Sequence, residues 1–265
     1  MKYALVTGAF GGMGKSAVKR LSEENYTVFA LDIACGESYE NVIGIETDIT
    51  DQKSVEDALA IVSSYTDRLD ACLHFAGIYM LNSLLEMPQA DFLRIMNVNV
   101  TGAFNVNRAF SPLFKKGTRI VILTSELAPL KPLPFTGIYA VTKGALDKYA
   151  YSLRMEAQLS GIHVSVLRAG AVDTGMLDVS TRALDAFTSN TKAYAFSAKR
   201  FRDIVNRVES RKITPDRIAQ KVCAILSKRK PRFSYSINRN PLLLILNALP
   251  ERFQFFIIRC ILSSK

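Results

Sequence analysis

The run Lys2-Tyr3-Ala4-Leu5-Val6-Thr7-Gly8-Ala9-Phe10-Gly11-Gly12-Met13-Gly14 decides the fold. Its first residues make a short apolar strand, Thr7 to Gly14 make a glycine-rich turn, and Ala17, Val18 and Leu21 follow with helical spacing. A strand, a glycine turn and a helix N-terminus in that order aim backbone N–H groups and a positive dipole end at a pyrophosphate, and the missing side chains let it come close. An ordinary Gly-rich loop is the competing reading, and the flanking strand and helix weigh against it. Thr7, Gly8, Gly12, Met13 and Gly14 are therefore expected to contact a dinucleotide.

A second apolar run, Thr27 to Leu31, ends in Asp32, eighteen residues after Gly14. A carboxylate there can accept hydrogen bonds from both adenosine ribose hydroxyls and would repel a 2′-phosphate, and Ile33 offers no compensating cation. The expected cofactor is NAD(H), with a plain strand-end cap as the alternative role of Asp32. Asp48, after the strand Val42 to Glu46, can bond the adenine edge or N-cap the helix that starts near Gln52. Further on, Tyr139 and Lys143 stand one helical turn apart on one face, where the ammonium can favour the phenolate and reach a ribose. The Y-x-x-x-K spacing alone is weak in a chain with 10 tyrosines, and its weight comes from the motifs before it.

Taken together, these motifs resemble the short-chain dehydrogenase/reductase family, in its compact single-domain branch, from Met1 to about Thr174. The family's T-G-x-x-x-G-x-G is met by Thr7, Gly8, Gly12 and Gly14, its helix asparagine by Asn99, its serine by Ser125 and its Y-x-x-x-K by Tyr139 and Lys143. The resemblance implies Tyr139 as general acid/base, Lys143 lowering its pKa and holding the nicotinamide ribose, Ser125 orienting the substrate oxygen and Asn99 holding a proton-relay water. It also implies Ala76 and Gly77 beside the cofactor, and Val172 and Thr174 on the carboxamide.

The departures lie close to the chemistry. The family's Asn-Asn-Ala-Gly reads His74-Phe75-Ala76-Gly77, so polar contacts are missing while the small pair survives. Ser125 lies fourteen residues before Tyr139, one more than the family pattern, and Glu126 takes the serine position in an ungapped alignment. Pro129, Pro132 and Pro134 stiffen the connection, and Ala169 stands where a proline commonly precedes Gly170.

At 265 residues the chain can bury a substantial core as one α/β domain, a Rossmann-like doubly wound parallel sheet of about seven strands. The expected strands are Lys2 to Val6, Thr27 to Leu31, Val42 to Glu46, Leu69 to Phe75, Thr118 to Thr124, Ile162 to Arg168 and Arg232 to Ile237. Residues 1–238 form the catalytic domain in this reading, with 175–212 covering the substrate and 239–265 as an amphipathic tail. The covering segment carries Met176, Leu177, Phe187, Tyr194, Phe196 and Phe201, suited to a bulky apolar alcohol or ketone or to plain packing. Arg200, Arg202, Arg207 and Arg211 either hold an acidic group of such a substrate or form a solvated face.

Cys35, Cys72, Cys223 and Cys260 show no C-x-x-C spacing and no nearby histidine cluster, so neither a zinc site nor a disulfide framework is expected. His74 and His163 adjoin strands and are expected to pack rather than react. Thr7-Gly8 interrupts the first apolar run too early for a signal peptide, and the expected location is cytoplasmic. Charge is lopsided: residues 1–191 carry −3 and residues 192–265 carry +13. In the tail, Pro241 to Leu246 and Phe253 to Ile258 are apolar runs broken by Pro250-Glu251-Arg252 and flanked by Arg239, Arg259 and Lys265. The break argues against a spanning helix. Two short helices in an anionic membrane interface, or a tail packed on the body or on a dimer partner, fit equally. Nucleic acid fits poorly, since the tail is too apolar and shows no binding module. The chain is expected to form a homodimer or homotetramer.

The leading functional expectation is an NAD(H)-dependent oxidoreductase interconverting a secondary alcohol and a ketone on a lipophilic substrate. An epimerase or dehydratase of the family's extended branch is the related alternative, because Gly8, Gly11 and Gly14 also fit T-G-x-x-G-x-x-G. A non-catalytic NAD-binding regulator is the alternative from another class.

Overall fold

The continuous apolar run of β1 (Lys2–Thr7), whose successive side chains point to opposite faces, explains how the chain is layered. Ala4 and Val6 face one hydrophobic core and Leu5 faces another, so the strand is buried on both sides. In the computed structural model, β1 sits inside a seven-stranded parallel sheet of order β3-β2-β1-β4-β5-β6-β7. The remaining strands are β2 (Tyr26–Asp32), β3 (Val42–Glu46), β4 (Leu69–His74), β5 (Phe114–Ser125), β6 (His163–Ala169) and β7 (Ser234–Ile237). The structure describes residues 1–36, 38–208 and 212–263, without the side chains of 176–178 and 206–208.

One face of the sheet carries α1 (Gly12–Glu23) and α8 (Pro215–Leu226), whose Val18, Leu21, Ile218 and Val222 pack on it. The other carries α2 (Gln52–Tyr65), α3 (Gln89–Met96), α4 (Gly102–Phe110) and α5 (Gly137–Ala157), with Val55, Val106, Phe110 and Leu146 in the second core. A third, smaller core is built by α6 (Gly175–Asn190), α7 (Ala195–Val208), the loop after β4 and the last of two terminal helices, α9 (Pro241–Ala248) and α10 (Glu251–Leu262).

Strand order reverses between β1 and β4, which opens a crevice at their carboxyl ends. All seven expected strands are present, and most ends move by a residue or two. The exception is β5, which begins at Phe114 rather than Thr118. Lys115, Lys116 and Gly117 do not read as strand, but Phe114 pairs with Leu69 across a register shift and the Thr118 hydroxyl donates to the Leu69 carbonyl. Tertiary pairing thus extends a strand that local propensity would end.

Candidate active site

Two glycines bring the first turn against the crevice. Gly8 has φ +66°, a left-handed conformation, and a Cβ there would stand 2.5 Å from the Ala76 backbone nitrogen. At Gly14 a Cβ would run into the Gly8 carbonyl, so the turn closes only with both side chains absent. Helix α1 starts from Gly11 with no side-chain cap and no acidic residue in its first turn. Its N–H groups and dipole are therefore left for an anion from outside the chain. A Cβ at Gly12 would stand 2.7 Å from the Thr174 methyl, so the turn and the segment after β6 face each other closely. Thr7 is buried beneath the turn, and its hydroxyl is 3.5 Å from the Ala76 N–H.

At the end of β2, Asp32 accepts from the Phe10 N–H at 2.9 Å and from the Ile33 N–H at 2.8 Å. The carboxylate thus stands at the rim of the glycine turn, where a ribose bound along α1 would lie. The Cys35 thiol beside it is held above its usual range by desolvation and by the charges of Glu46 and Asp32, so this rim is acidic. Asp48 accepts from both the backbone N–H and the hydroxyl of Thr50. The N-cap of α2 is Asp51, bonded to the Lys53 N–H, and not Asp48. A three-residue error follows from reading the cap off the first acidic residue after a strand; Asp48 instead closes its own local turn.

Beyond the turn, α5 presents Tyr139 and Lys143 to the same crevice, with Ser125 opposite at the end of β5. Burial pushes the Tyr139 phenol well above its ordinary value, the neighbouring Tyr79 pushes it further, and the hydrogen bond between the Ser125 and Tyr139 hydroxyls draws it back. Burial lowers the Lys143 ammonium to about 8. Its Nζ lies 5.7 Å from the centre of the Tyr139 ring and 3.4 Å from the Leu123 carbonyl. The three side chains expected to act together are together. Tyr139 stands as a phenol that can donate a proton.

Asn99 lies in a π-helical turn, Asn97–Thr101, between α3 and α4. Its carboxamide accepts from the Ile78 N–H at 2.8 Å and donates to the Ile78 carbonyl and the Thr142 hydroxyl, both at 3.0 Å. Both amide hydrogens are thus engaged in clamping the loop after β4 to α5. The relay water that the resemblance implies would have to meet the main chain or the second lone pair of Oδ1. Gly77 lies within this clamp, where a Cβ would be 3.1 Å from the Asn99 oxygen. Ala76 is partly buried beside it and packs on the core under α4 and α5. His74 points away from the crevice: its Nε2 pairs with Asn107 at 3.0 Å, and burial lowers the ring to about 4. It is a neutral core residue, as expected from its place beside a strand.

Met13, Gly77, Ser125, Tyr139, Lys143, Val172 and Thr174 all line one cavity of about 890 Å³. Its remaining wall is largely apolar and includes Phe75, Ile78, Tyr79 and Leu81 from the end of β4 and the loop after it. Leu127, Leu133 and Pro134 follow β5, Phe201, Ile204 and Val205 belong to α7, and Leu243, Leu246, Ile257 and Ile258 belong to α9 and α10. The terminal helices therefore roof the cavity. Of the covering-segment aromatics, Phe187, Tyr194 and Phe201 pack around Phe135, and Phe196 is exposed beneath Arg200. Arg200 donates to the Ile261 carbonyl at 2.9 Å, and Arg202 lies 3.6 Å from Asp185, so both tie helices together rather than line the cavity. Arg211 and Lys265, and the side chains of Met176, Leu177 and Arg207, lie outside the described residues.

Several contributors carry no local sequence signal. The Tyr79 ring tilts against Tyr139 with centroids 4.9 Å apart. Phe135 takes a left-handed backbone, φ +67°, two residues before α5, a conformation that costs on the order of 1–3 kcal/mol and is held by its aromatic neighbours. Asp147, one turn beyond Lys143, forms a two-pronged ion pair with Arg168 of β6 at 2.7 and 3.0 Å, locking α5 onto the sheet.

The sequence model of the short chain dehydrogenase family matches residues 2–185, and the chain belongs to that family. A 3-ketodihydrosphingosine reductase of Bacteroides thetaiotaomicron is 26% identical over 261 residues, covering 96% of each protein. A 3-oxoacyl-[acyl-carrier-protein] reductase, MabA, of Mycobacterium avium is 30% identical over 182 residues, covering 68% of this chain and 69% of that protein. Among solved structures, a short chain dehydrogenase family protein from Francisella tularensis superposes with a TM-score of 0.74 at 24% identity, over 89% of this chain and 97% of its own. A 3-ketoacyl-(acyl-carrier-protein) reductase from Brucella melitensis complexed with NADH superposes with a TM-score of 0.73 at 22% identity, over 89% and 96%. The protein is thus an oxidoreductase of a family that uses a nicotinamide cofactor.

Proposed function

We propose that this protein is an NAD(H)-dependent reductase of a lipophilic ketone, producing a secondary alcohol. The observation that carries the reading is that Ser125, Tyr139 and Lys143 open onto a cavity of about 890 Å³ with a mostly apolar wall. The names of two relatives, reductases of 3-ketodihydrosphingosine and of 3-oxoacyl chains, support a ketone on a lipophilic body.

The residues fit the cofactor. The uncapped N-terminus of α1 suits a pyrophosphate, Asp32 suits two ribose hydroxyls, and Lys143 suits the second ribose. When bound, the nicotinamide supplies a hydride to the carbonyl carbon. Ser125 would hold the substrate oxygen beside Tyr139, whose phenolic proton passes to that oxygen as the alcohol forms. Lys143 would then stabilise the phenolate until solvent returns the proton. Burial keeps Tyr139 protonated, so it stands as the proton donor that reduction needs, whereas oxidation would start from its phenolate.

The acidic rim formed by Asp32 and Glu46 favours NADH over NADPH. Both halves of the reading are tested by following cofactor absorbance with long-chain 3-ketones, with neutral short ketones and with each cofactor. NADH oxidation should be faster with the long chains, and Asp32→Ala should narrow the preference for NADH. Equal use of NADPH by the wild-type protein would sink the cofactor assignment, and failure with every ketone would sink the reductase assignment.

A further inference from the structure

Helix α10 has two faces of different chemistry. Gln254, Ile257, Ile258 and Leu262 turn inward, where the last three line the cavity. Phe253, Phe255 and Phe256 are 62%, 72% and 64% exposed, large values for side chains of this size. Arg252, Phe255, Phe256 and Arg259 follow one another at helical spacing, so two cations lie among the outward aromatics. Helix α9 repeats the pattern in part, with Leu243 and Leu246 on the cavity, Leu242 at its edge and 60% exposed, and Ile245 63% exposed on the outside. The exposed Arg252 and Arg259 stand on the outer face, Arg239 lies at the cavity wall, and the one acidic residue of the two helices, Glu251, is paired with Lys131 at 3.2 Å. Among the described residues, no helix is long and apolar enough to cross a membrane.

We propose that the outer faces of α9 and α10 dock the protein on an anionic lipid surface, with both helices lying in the interface. Charge complementarity selects this occupant: cations interleaved with aromatics suit acidic headgroups above acyl chains, whereas two copies brought face to face would set arginines against arginines. Since the inner faces of the same helices roof the cavity, docking brings its lining next to the acyl layer, from which a lipophilic substrate can enter without crossing water.

Sedimentation of the full chain with phosphatidylcholine vesicles, with and without phosphatidylglycerol, tests the proposal. The expected result is binding to the anionic vesicles that weakens as salt rises, and at least a tenfold weakening in F253S/F255S/F256S. Retained NADH binding by that variant shows that it is folded. Bimane attached at the exposed Cys260, in a Cys35→Ser background, should shift to the blue on the anionic vesicles. The proposal is overturned if the full chain stays in the supernatant at low salt, or if the triple variant binds as well as the parent. It is also overturned if light scattering shows the triple substitution splitting an oligomer while vesicles are ignored.

A separate observation concerns Glu126, the single carboxylate among the described residues of a cavity wall that also carries Lys143 and Arg239; burial pushes its carboxyl up, and the Asn240 N–H and the Arg239 charge draw it back. Its Oε2 accepts from the Asn240 N–H at 2.6 Å, and its Oε1 faces Gly170, where a Cβ would be 3.1 Å away. Glu126 is also next in sequence to Ser125, beside the reacting carbonyl. We infer that Glu126 recognises a cationic substituent, an ammonium group, near the ketone of an otherwise apolar substrate. This rests on the ketone-reductase reading, and matched long-chain ketones with and without a neighbouring amine separate the two. Wild-type protein should prefer the amino ketone, and Glu126→Gln should lower that preference at least tenfold in kcat/KM. Loss of both activities in equal proportion would reduce Glu126 to a tie for α9 and overturn the inference. Wild-type turnover of the neutral ketone without preference for the amine would also overturn it while leaving the reductase reading intact.

Discussion

Helices α1 and α10 are both twelve residues long, yet they are held in opposite ways. In α1, Gly14, Ala17, Val18 and Leu21 form a narrow buried stripe against the sheet and α8, and no large apolar side chain is left in solvent. In α10 only Gln254 and Leu262 are fully buried, while four large apolar residues are exposed. A helix whose uncapped N-terminus is left open to an anion needs one fixed position, and close packing of small residues supplies it. A helix that roofs a cavity needs only its inner edge fixed, and the chemistry of its outer edge is free to serve something else.

Substitutions on the fixed side of the cavity should have the larger effects. Tyr139→Phe should lower turnover by about 10²-fold or more with NADH affinity nearly unchanged, because only the proton donor is removed. Steady-state rates beside nicotinamide fluorescence titration separate these quantities, and normal turnover would remove Tyr139 from the mechanism. Asp147→Ala leaves Arg168 unpaired between α5 and β6, and should cost roughly 3 kcal/mol in denaturant unfolding. A loss under about 1 kcal/mol would mean that solvent screens the pair.

The buried His74 makes the same core sensitive to acid. Its folded-state value of about 4 lies below the unfolded 6.5, so the folded protein binds fewer protons between them. The stability it contributes is complete above pH 6.5 and is lost as pH falls towards 4, by roughly 3 kcal/mol at most. Melting curves across that range should show the decline, and His74→Gln should flatten it. The smallest effect belongs to the roof: Phe256→Ser should change stability by no more than about 0.5 kcal/mol, since the ring contacts solvent. A cost of several kcal/mol would show that the outer face is buried against a partner and erase the contrast with α1.

Legibility followed the same division. The glycine turn, Asp32, and the Tyr139 and Lys143 pair could be read from the chain because each depends on neighbours close in sequence: a left-handed turn, a strand end, one helical turn. The capping alternative for Asp48 failed because two acidic residues, Asp48 and Asp51, precede α2, and only the backbone path selects which one caps it. For the covering-segment arginines the chain left open an acidic-group ligand or a solvated face, and Arg200 and Arg202 are instead used between helices. Tyr79 and Phe135 carried no signal because a ring's role is set by what stands across from it.

The parallel sheet, its crevice and the side chains that meet there were readable from the chain alone, since period-two and helical patterns and short motifs are local consequences of backbone geometry. Long-range packing is what makes α9 and α10 roof the cavity and commits the Asn99 amide to Ile78 and Thr142. It alone also set Glu126 inside the cavity wall. These depend on contacts between residues tens to more than a hundred positions apart, and no local pattern in a single chain encodes which distant surfaces will meet.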